Sequence, residues 1–225
     1  LGVSKRGDEI AMALDCEGES REVAGSHLLV ATGRRPNTDD LGLDRAGVKV
    51  DDRGYVVVDD VLRTSAPGIW ALGECNGHGA FTHTAYNDYE IAAANLLDED
   101  PRKVSDRIAA FAIYIDPPLA RVGLDETAAR QSGRRYLVAK RPMTRVARAS
   151  EKDETQGFMK AIVDAETRRI VGATILGTGG DEAIHALLYA MYAGATDKTI
   201  TRSVGIHPTV SELLPTMLAE LRPLQ

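Results

Sequence analysis

His207 and Glu212 stand five positions apart in the stretch Gly-Ile-His-Pro-Thr-Val-Ser-Glu (205–212). An imidazole beside a carboxylate is a ready acid/base pair. The carboxylate fixes which ring nitrogen carries the proton and raises the ring's proton affinity. Pro208 disfavours helical backbone for the residue before it, so His207 is expected in extended or turn conformation. Thr209-x-x-Glu212 then reads as a helix start, with Leu213, Leu214, Met217, Leu218 and Leu221 as its apolar stripe. That puts the ring just outside a helix and the carboxylate one turn into it. The same residues also spell a capping box, in which Glu212 would serve only the backbone. Residue types and spacing leave both readings open.

A second candidate lies mid-chain. Ile69–Leu72 reads as a short buried strand, Gly73–Ala80 as a glycine-rich loop and residues 82–97 as a helix with Ala85, Tyr89, Ala92, Ala93 and Leu96 inward. Strand, glycine-rich loop and helix together can hold a phosphate or another electron-rich group, because the first N–H groups of a helix are unpaired and its dipole favours negative charge. Glu74 ends the strand, placed to accept hydrogen bonds from sugar-like hydroxyls. His83 falls in the first helical turn, where a neutral ring is favoured over a charged one. An ordinary strand–helix connection would have the same spelling. No G-x-G-x-x-G follows a strand, so the chain shows no dinucleotide fingerprint of its own.

The elements that must position these residues fall into two halves. Residues 9–14 and 27–31 read as strands around a polar turn at Gly18, the second continuously apolar as a buried strand is. Residues 47–50 and 55–58 flank Asp51-Asp52-Arg53-Gly54, a hairpin pattern. The charged segment Asp98–Lys103 marks a domain boundary. Beyond it, 109–115, 136–140, 157–163 and 170–176 read as strands, the last three in one antiparallel sheet. Asp125 caps a short helix to Gln131. A long helix over 181–193 buries Ile184, Leu187, Leu188 and Met191.

Bulk properties narrow the classes. The 225 residues are 44% hydrophobic and 27% charged with a formal net charge of -6, the profile of a soluble globular protein. Nothing basic enough for a nucleic-acid footprint is present; the densest basic stretch, Arg134, Arg135, Lys140 and Arg141, reads as solvated strand and turn. No apolar run is long enough to span a bilayer. Cys16 and Cys75 form no C-x-x-C, and His27, His78 and His185 have no partner at metal-ligand spacing, so no metal site is expected. Two unpaired thiols suit a reducing, cytoplasmic setting.

Four segments together resemble one family. Leu28–Asn37 (Leu-Leu-Val-Ala-Thr-Gly-Arg-Arg-Pro-Asn) resembles the A-T-G-R-x-P-N segment of the FAD-dependent pyridine nucleotide–disulfide oxidoreductases. Ile69–Glu74 resembles their second flavin motif. Pro117–Gly123 resembles the opening of their C-terminal dimerisation domain, and His207-Pro208-Thr209 with Glu212 resembles their catalytic His–Glu pair. The resemblance implies α/β plus α+β architecture: the C-terminal part of an FAD-binding domain, then an α+β dimerisation domain with an antiparallel sheet. Residues 1–35 would be the end of an NAD(P)H domain and the return crossover, 36–102 the rest of the FAD-binding domain, and 103–225 the dimerisation domain. The chain would be the C-terminal half of a longer enzyme, without the redox-active cysteine pair and the two nucleotide fingerprints.

In the family, electrons pass from NAD(P)H to flavin, to the cysteine pair and on to substrate. By resemblance, His207 would exchange protons with thiols of the other subunit, oriented by Glu212. Gly33, Arg34, Gly73 and Glu74 would contribute to FAD binding, the last two at the ribityl and pyrophosphate part. Phe81, Thr82 and His83 would bring a helix N-terminus to the flavin's pyrimidine edge. The implied partners are a second copy, through 103–225, and a small disulfide or metal-ion substrate, with no nucleic acid, no membrane and no resident metal. Two features depart from the family pattern. Glu74 stands where most members have Asp. The mercuric-reductase-like and dihydrolipoamide-dehydrogenase-like group is the nearest, yet the tail Leu221–Gln225 lacks the cysteine pair with which mercuric reductases capture metal, and His207 is present where they lack it. The isolated chain is expected to be inactive, and a non-catalytic dimerisation module is the alternative reading.

Overall fold

The computed structural model describes residues 2–16 and 18–225. Strands β1 (Gly2–Arg6), β2 (Glu9–Cys16) and β3 (Glu19–Gly25) pair antiparallel in sequential order. The strand expected at 9–14 is present, but its neighbour across the Gly18 turn is β3, not 27–31. β3 is polar and exposed along nearly its whole length, so backbone pairing rather than burial defines it, and no apolar alternation announces it. Residues 27–31 have no ladder partner among the described residues, and Leu29 and Val30 are 87% and 71% exposed. An apolar run becomes a buried strand only when neighbours cover it; here none does.

Residues 36–80 are held by turns and single bridges. The 51–54 hairpin closes as its residues predict, with Asp51 and Tyr55 bonded through their backbones (2.8 Å) and one bridge between Val50 and Val56. Ile69–Leu72 is not a buried strand. It makes one bridge, Trp70 to Arg63, and Ile69 and Leu72 lie partly in solvent. Helix α1 (Thr82–Leu97) forms at the expected residues, but its inner face differs. Thr84, Asp88, Ile91, Ala92 and Ala94 are buried, whereas Tyr89 and Leu96 are exposed. A threonine and an aspartate on the inward stripe disguise it as polar.

The second half is one six-stranded antiparallel sheet. Its strands are β4 (Ala110–Ile113), β5 (Leu119–Gly123), β6 (Tyr136–Pro142), β7 (Phe158–Asp164), β8 (Ile170–Leu176) and β9 (Arg222–Pro223), in the order β4-β5-β8-β7-β6-β9. α2 (Glu126–Gln131) begins at Asp125, whose carboxylate accepts from Ala128 N as a capping residue should. α3 (Ala147–Glu151) follows β6. α4 (Gly180–Tyr192) packs on β5 and β8, and, after α5 (Asp197–Thr201), α6 (Leu214–Leu218) packs on β6 and β7. Met143, Met159, Ile175, Leu187 and Met217 are fully enclosed between these layers. Prolines and a glycine at its ends hide β5 in the sequence, and β9 is a two-residue edge strand, where proline is tolerated. The basic stretch is not uniformly solvated either. Arg141 is buried and donates to Glu220 and to the Arg145 carbonyl, while Arg134 pairs with the buried Asp164.

Candidate functional site

Leu214, Met217 and Leu218, with Val210 just ahead of them, seat the last helical segment on the core. That segment starts as a 3₁₀ turn, Ser211–Leu213, running into α6. Thr209 Oγ1 accepts from Glu212 N (3.2 Å), which is half of the capping box. The other half is not made. Both Glu212 oxygens face His207 instead, with Nδ1 3.1 Å from Oε1 and 3.0 Å from Oε2. A carboxylate only accepts, so Nδ1 carries a proton, and Nε2 is the nitrogen left free of Glu212. The ring is 69% exposed and the Glu212 side chain 14%. One member of the pair is thus fixed in the protein, and the other reaches out. Gly205 allows this closeness: a Cβ there would fall 2.7 Å from the Glu212 Cα.

The mid-chain candidate is assembled around a 3₁₀ turn, Gly73–Asn76, and the start of α1. Arg34 Nη1 donates to Glu74 Oε1 (2.9 Å) and to the Ala80 carbonyl (3.3 Å), so two predicted residues 40 positions apart meet. Gly33, beside them, has a φ of 112°. Gly79, at φ 153°, lets the loop lie against the helix; a Cβ there would meet Thr84 Cγ2 at 2.5 Å. Phe81 occupies the N-cap without a side-chain cap, and the first turn holds no acid. The N–H groups of Thr82 and His83 therefore face outward without a capping acceptor. His83 Nε2 lies 2.8 Å from the Ala110 carbonyl and so carries the ring proton. Phe81 stacks between His83 and Phe111, at ring separations of 5.3 and 5.8 Å. These three rings help line a cavity of about 550 Å³, together with Tyr114, Ile184 and Tyr189. The His207 pair is not part of it.

Sequence reasoning missed Asp88, Asn76 and Arg107. Asp88 is 1% exposed and accepts from the Gly73 N–H, Asn76 Nδ2 and Arg107 Nη2. The only early signal was an acid in an otherwise alanine-rich helix face. Burial, with Asp88 adding to it, pushes the neighbouring Cys75 thiol above its ordinary pKa, against the opposing effect of its own backbone hydrogen bond. A shift in that direction leaves less of the nucleophilic thiolate at neutral pH. Among the described residues no group of three or more His, Cys, Asp or Glu side chains could hold a metal ion, and no helix is long and apolar enough to cross a membrane.

Residues 109–218 match the pyridine nucleotide-disulphide oxidoreductase dimerisation domain, and residues 2–88 match the pyridine nucleotide-disulphide oxidoreductase domain. The chain belongs to the pyridine nucleotide-disulphide oxidoreductase family. It is 38% identical over 197 residues to RclA of Escherichia coli, a probable pyridine nucleotide-disulfide oxidoreductase, covering 87% of this chain and 45% of that protein. It is 34% identical over 212 residues to the dihydrolipoyl dehydrogenase of Bacillus subtilis and likewise to the mercuric reductase of Streptomyces lividans, each match covering 94% of this chain and 45% of the relative. Among solved structures, the Cu(II) complex of the HOCl-induced flavoprotein disulfide reductase RclA superposes with a TM-score of 0.87 at 34% identity, over 96% of this chain and 48% of that one. The chain spans about half the length of the curated relatives it matches. The α/β and α+β parts expected from sequence are those of the family's FAD-binding and dimerisation domains. FAD and NAD(P)H are the family's cofactors. The residues present suit a flavin nucleotide: an uncapped helix N-terminus without an acid, a half-exposed carboxylate for hydroxyls and an arginine beside it.

Proposed function

We propose that this chain is the C-terminal half of a homodimeric flavoenzyme that passes electrons from NAD(P)H to a disulfide, or to a metal ion, with His207 and Glu212 as its acid/base pair. The observation that carries this is the His207 ring itself, held at Nδ1 by a largely buried carboxylate and open at Nε2. When bound, FAD supplies a two-electron relay between nicotinamide and sulfur. Reducing a disulfide to two thiols takes two electrons and two protons. NAD(P)H gives a hydride, which is two electrons and one proton, and the second proton comes from solvent. His207 Nε2 is the group that passes a proton to or from a thiol, and Glu212 balances the charge of the protonated ring.

The thiols belong to the partner subunit in this reading, because His207 points outward. Exposed apolar residues on the second half, Tyr114, Ile115, Tyr189, Val204 and Ile206, suit a face covered by another copy. Gly33, Arg34, Gly73, Glu74, Phe81, Thr82 and His83 are the residues proposed for FAD. Thr82 and His83 offer N–H groups to the electron-rich ring edge, Glu74 takes hydroxyls and Arg34 neutralises phosphate. The domain limits are proposed at residues 35/36 and 102/103, with the exposed 27–31 run as part of the crossover. A reducing, cytoplasmic setting accords with the free thiols of Cys16 and Cys75.

The test is steady-state reduction of a small disulfide by NAD(P)H with the full-length protein. His207→Ala should lower turnover by about 10²–10⁴-fold, the usual scale of general acid–base contributions. Turnover at the wild-type rate would remove His207 from the chemistry. Light scattering at micromolar concentration tests the other half of the proposal: a dimer is expected, and a monomer would count against it.

A further inference from the structure

Asp88 is the most deeply buried charged side chain beside the proposed flavin loop, and nothing in the chemistry described so far uses it. A carboxylate taken out of water is costly unless donors surround it. Here three do. Oδ2 accepts from the Gly73 backbone N–H (2.9 Å) and from Asn76 Nδ2 (2.8 Å), and Oδ1 from Arg107 Nη2. Gly73 and Asn76 are the first and last residues of the 3₁₀ turn that carries Glu74. Asn76 extends the grip, donating to the Ala71 carbonyl (3.1 Å) and accepting from His78 N (2.9 Å).

Asp88 lies in the second turn of α1, the helix whose N-terminus presents Thr82 and His83. One carboxylate thus fixes the turn bearing Glu74 against the helix bearing those N–H groups. We propose that Asp88 is a positioning residue for FAD: it sets the spacing between Glu74 and the α1 N-terminus, and so the shape of the cofactor seat. This rests on the flavin reading of that loop. Arg107 neutralises Asp88 and is further held by Asn87 Oδ1 (2.8 Å), but it does not touch the loop, and its Nη1 is buried without a partner. Its contribution is to the burial of the charge, not to the geometry of the turn. An apolar residue at 88 would fill the same space without the two turn contacts. Asn at 88 keeps the shape, but it must turn its N–H group either toward the donors of the loop or toward the Arg107 guanidinium.

The experiment uses full-length protein stripped of flavin and titrated with FAD, with the dissociation constant read from flavin fluorescence and the melting temperature measured alongside. Asp88→Asn and Asp88→Leu should each raise the dissociation constant about 10- to 100-fold, the loss of one or two charge-assisted hydrogen bonds to the seat. Asn76→Ala, which removes one turn contact and leaves the carboxylate, should raise it about 3- to 10-fold. Arg107→Lys should lower the melting temperature yet hold the dissociation constant within about threefold of wild type. The inference is overturned if Asp88→Asn or Asn76→Ala binds FAD as wild type does, or if Arg107→Lys weakens binding as much as Asp88→Asn. Wild-type protein that takes up no FAD would overturn the flavin reading itself; wild-type binding with unaffected variants would overturn only the role of Asp88.

Discussion

Between residues 110 and 223 six strands pair in ladders over one large core with a small satellite cluster, while between 26 and 80 the chain relies on three isolated bridges and two small apolar clusters. The chemistry divides along the same line. The His207–Glu212 pair is complete within its own half, because Val210, Leu214 and Met217 anchor the turn that carries Glu212. The proposed 73–83 seat adds a polar clamp, Asp88, to the stacked rings around Phe81 and a small apolar cluster at Ala71 and Cys75. A proton-transfer group must hold one geometry before its substrate arrives, and a packed core provides that. A cofactor seat can draw part of its order from the cofactor.

The largest expected contrast is in stability. Met159→Ala, in the fully enclosed core, should cost about 2–5 kcal/mol in urea unfolding. Leu29→Ala, in the exposed 27–31 run, should stay within about 0.5 kcal/mol in the same chain. Equal losses would mean that residues 26–80 are packed far better than they look. A smaller contrast concerns acid. Asp164 closes the β7–β8 turn, and the Thr167 backbone N–H, with Glu166 and Arg134, holds its carboxyl below the ordinary range despite opposing desolvation. A depressed folded-state pKa gives stability that is present above the unfolded value of about 3.9 and is lost as pH falls through the folded value. The stability gap between wild type and Asp164→Asn should therefore be constant near neutrality and shrink below about pH 4. A gap unchanged down to pH 2 would show that the turn does not depend on the ionised carboxylate.

The sequence was legible where period and burial agree. α4, the capped α2 and strands β6 to β8 all lie within a few residues of where their patterns put them, and α1 does too, although its inward stripe is not the one its period suggested. It misled where a segment's character depends on residues outside it. Leu28–Ala31 reads as buried strand because its side chains are apolar, yet burial requires neighbours. β3 reads as a loop because its side chains are polar, yet its backbone pairs fully with β2. At the site, the His–Glu pair could be read from spacing, but whether Glu212 would cap the backbone or hold the ring could not. In the structure Thr209 Oγ1 takes the Glu212 N–H as in a capping box, while both carboxylate oxygens turn to His207 instead of the backbone. Asp88 stayed hidden because a buried acid and an exposed one look alike until the partners Gly73, Asn76 and Arg107 are brought together from 15, 12 and 19 positions away.

The most direct measurement separates the two half-reactions in full-length His207→Ala protein by rapid mixing. NAD(P)H should reduce the flavin at the wild-type rate, since no step there needs the imidazole. Reoxidation by a disulfide should be slower by about 10²–10⁴-fold. Wild-type rates in both phases would contradict an acid/base role for His207, and a slowed first phase with a normal second would place the ring in different chemistry altogether.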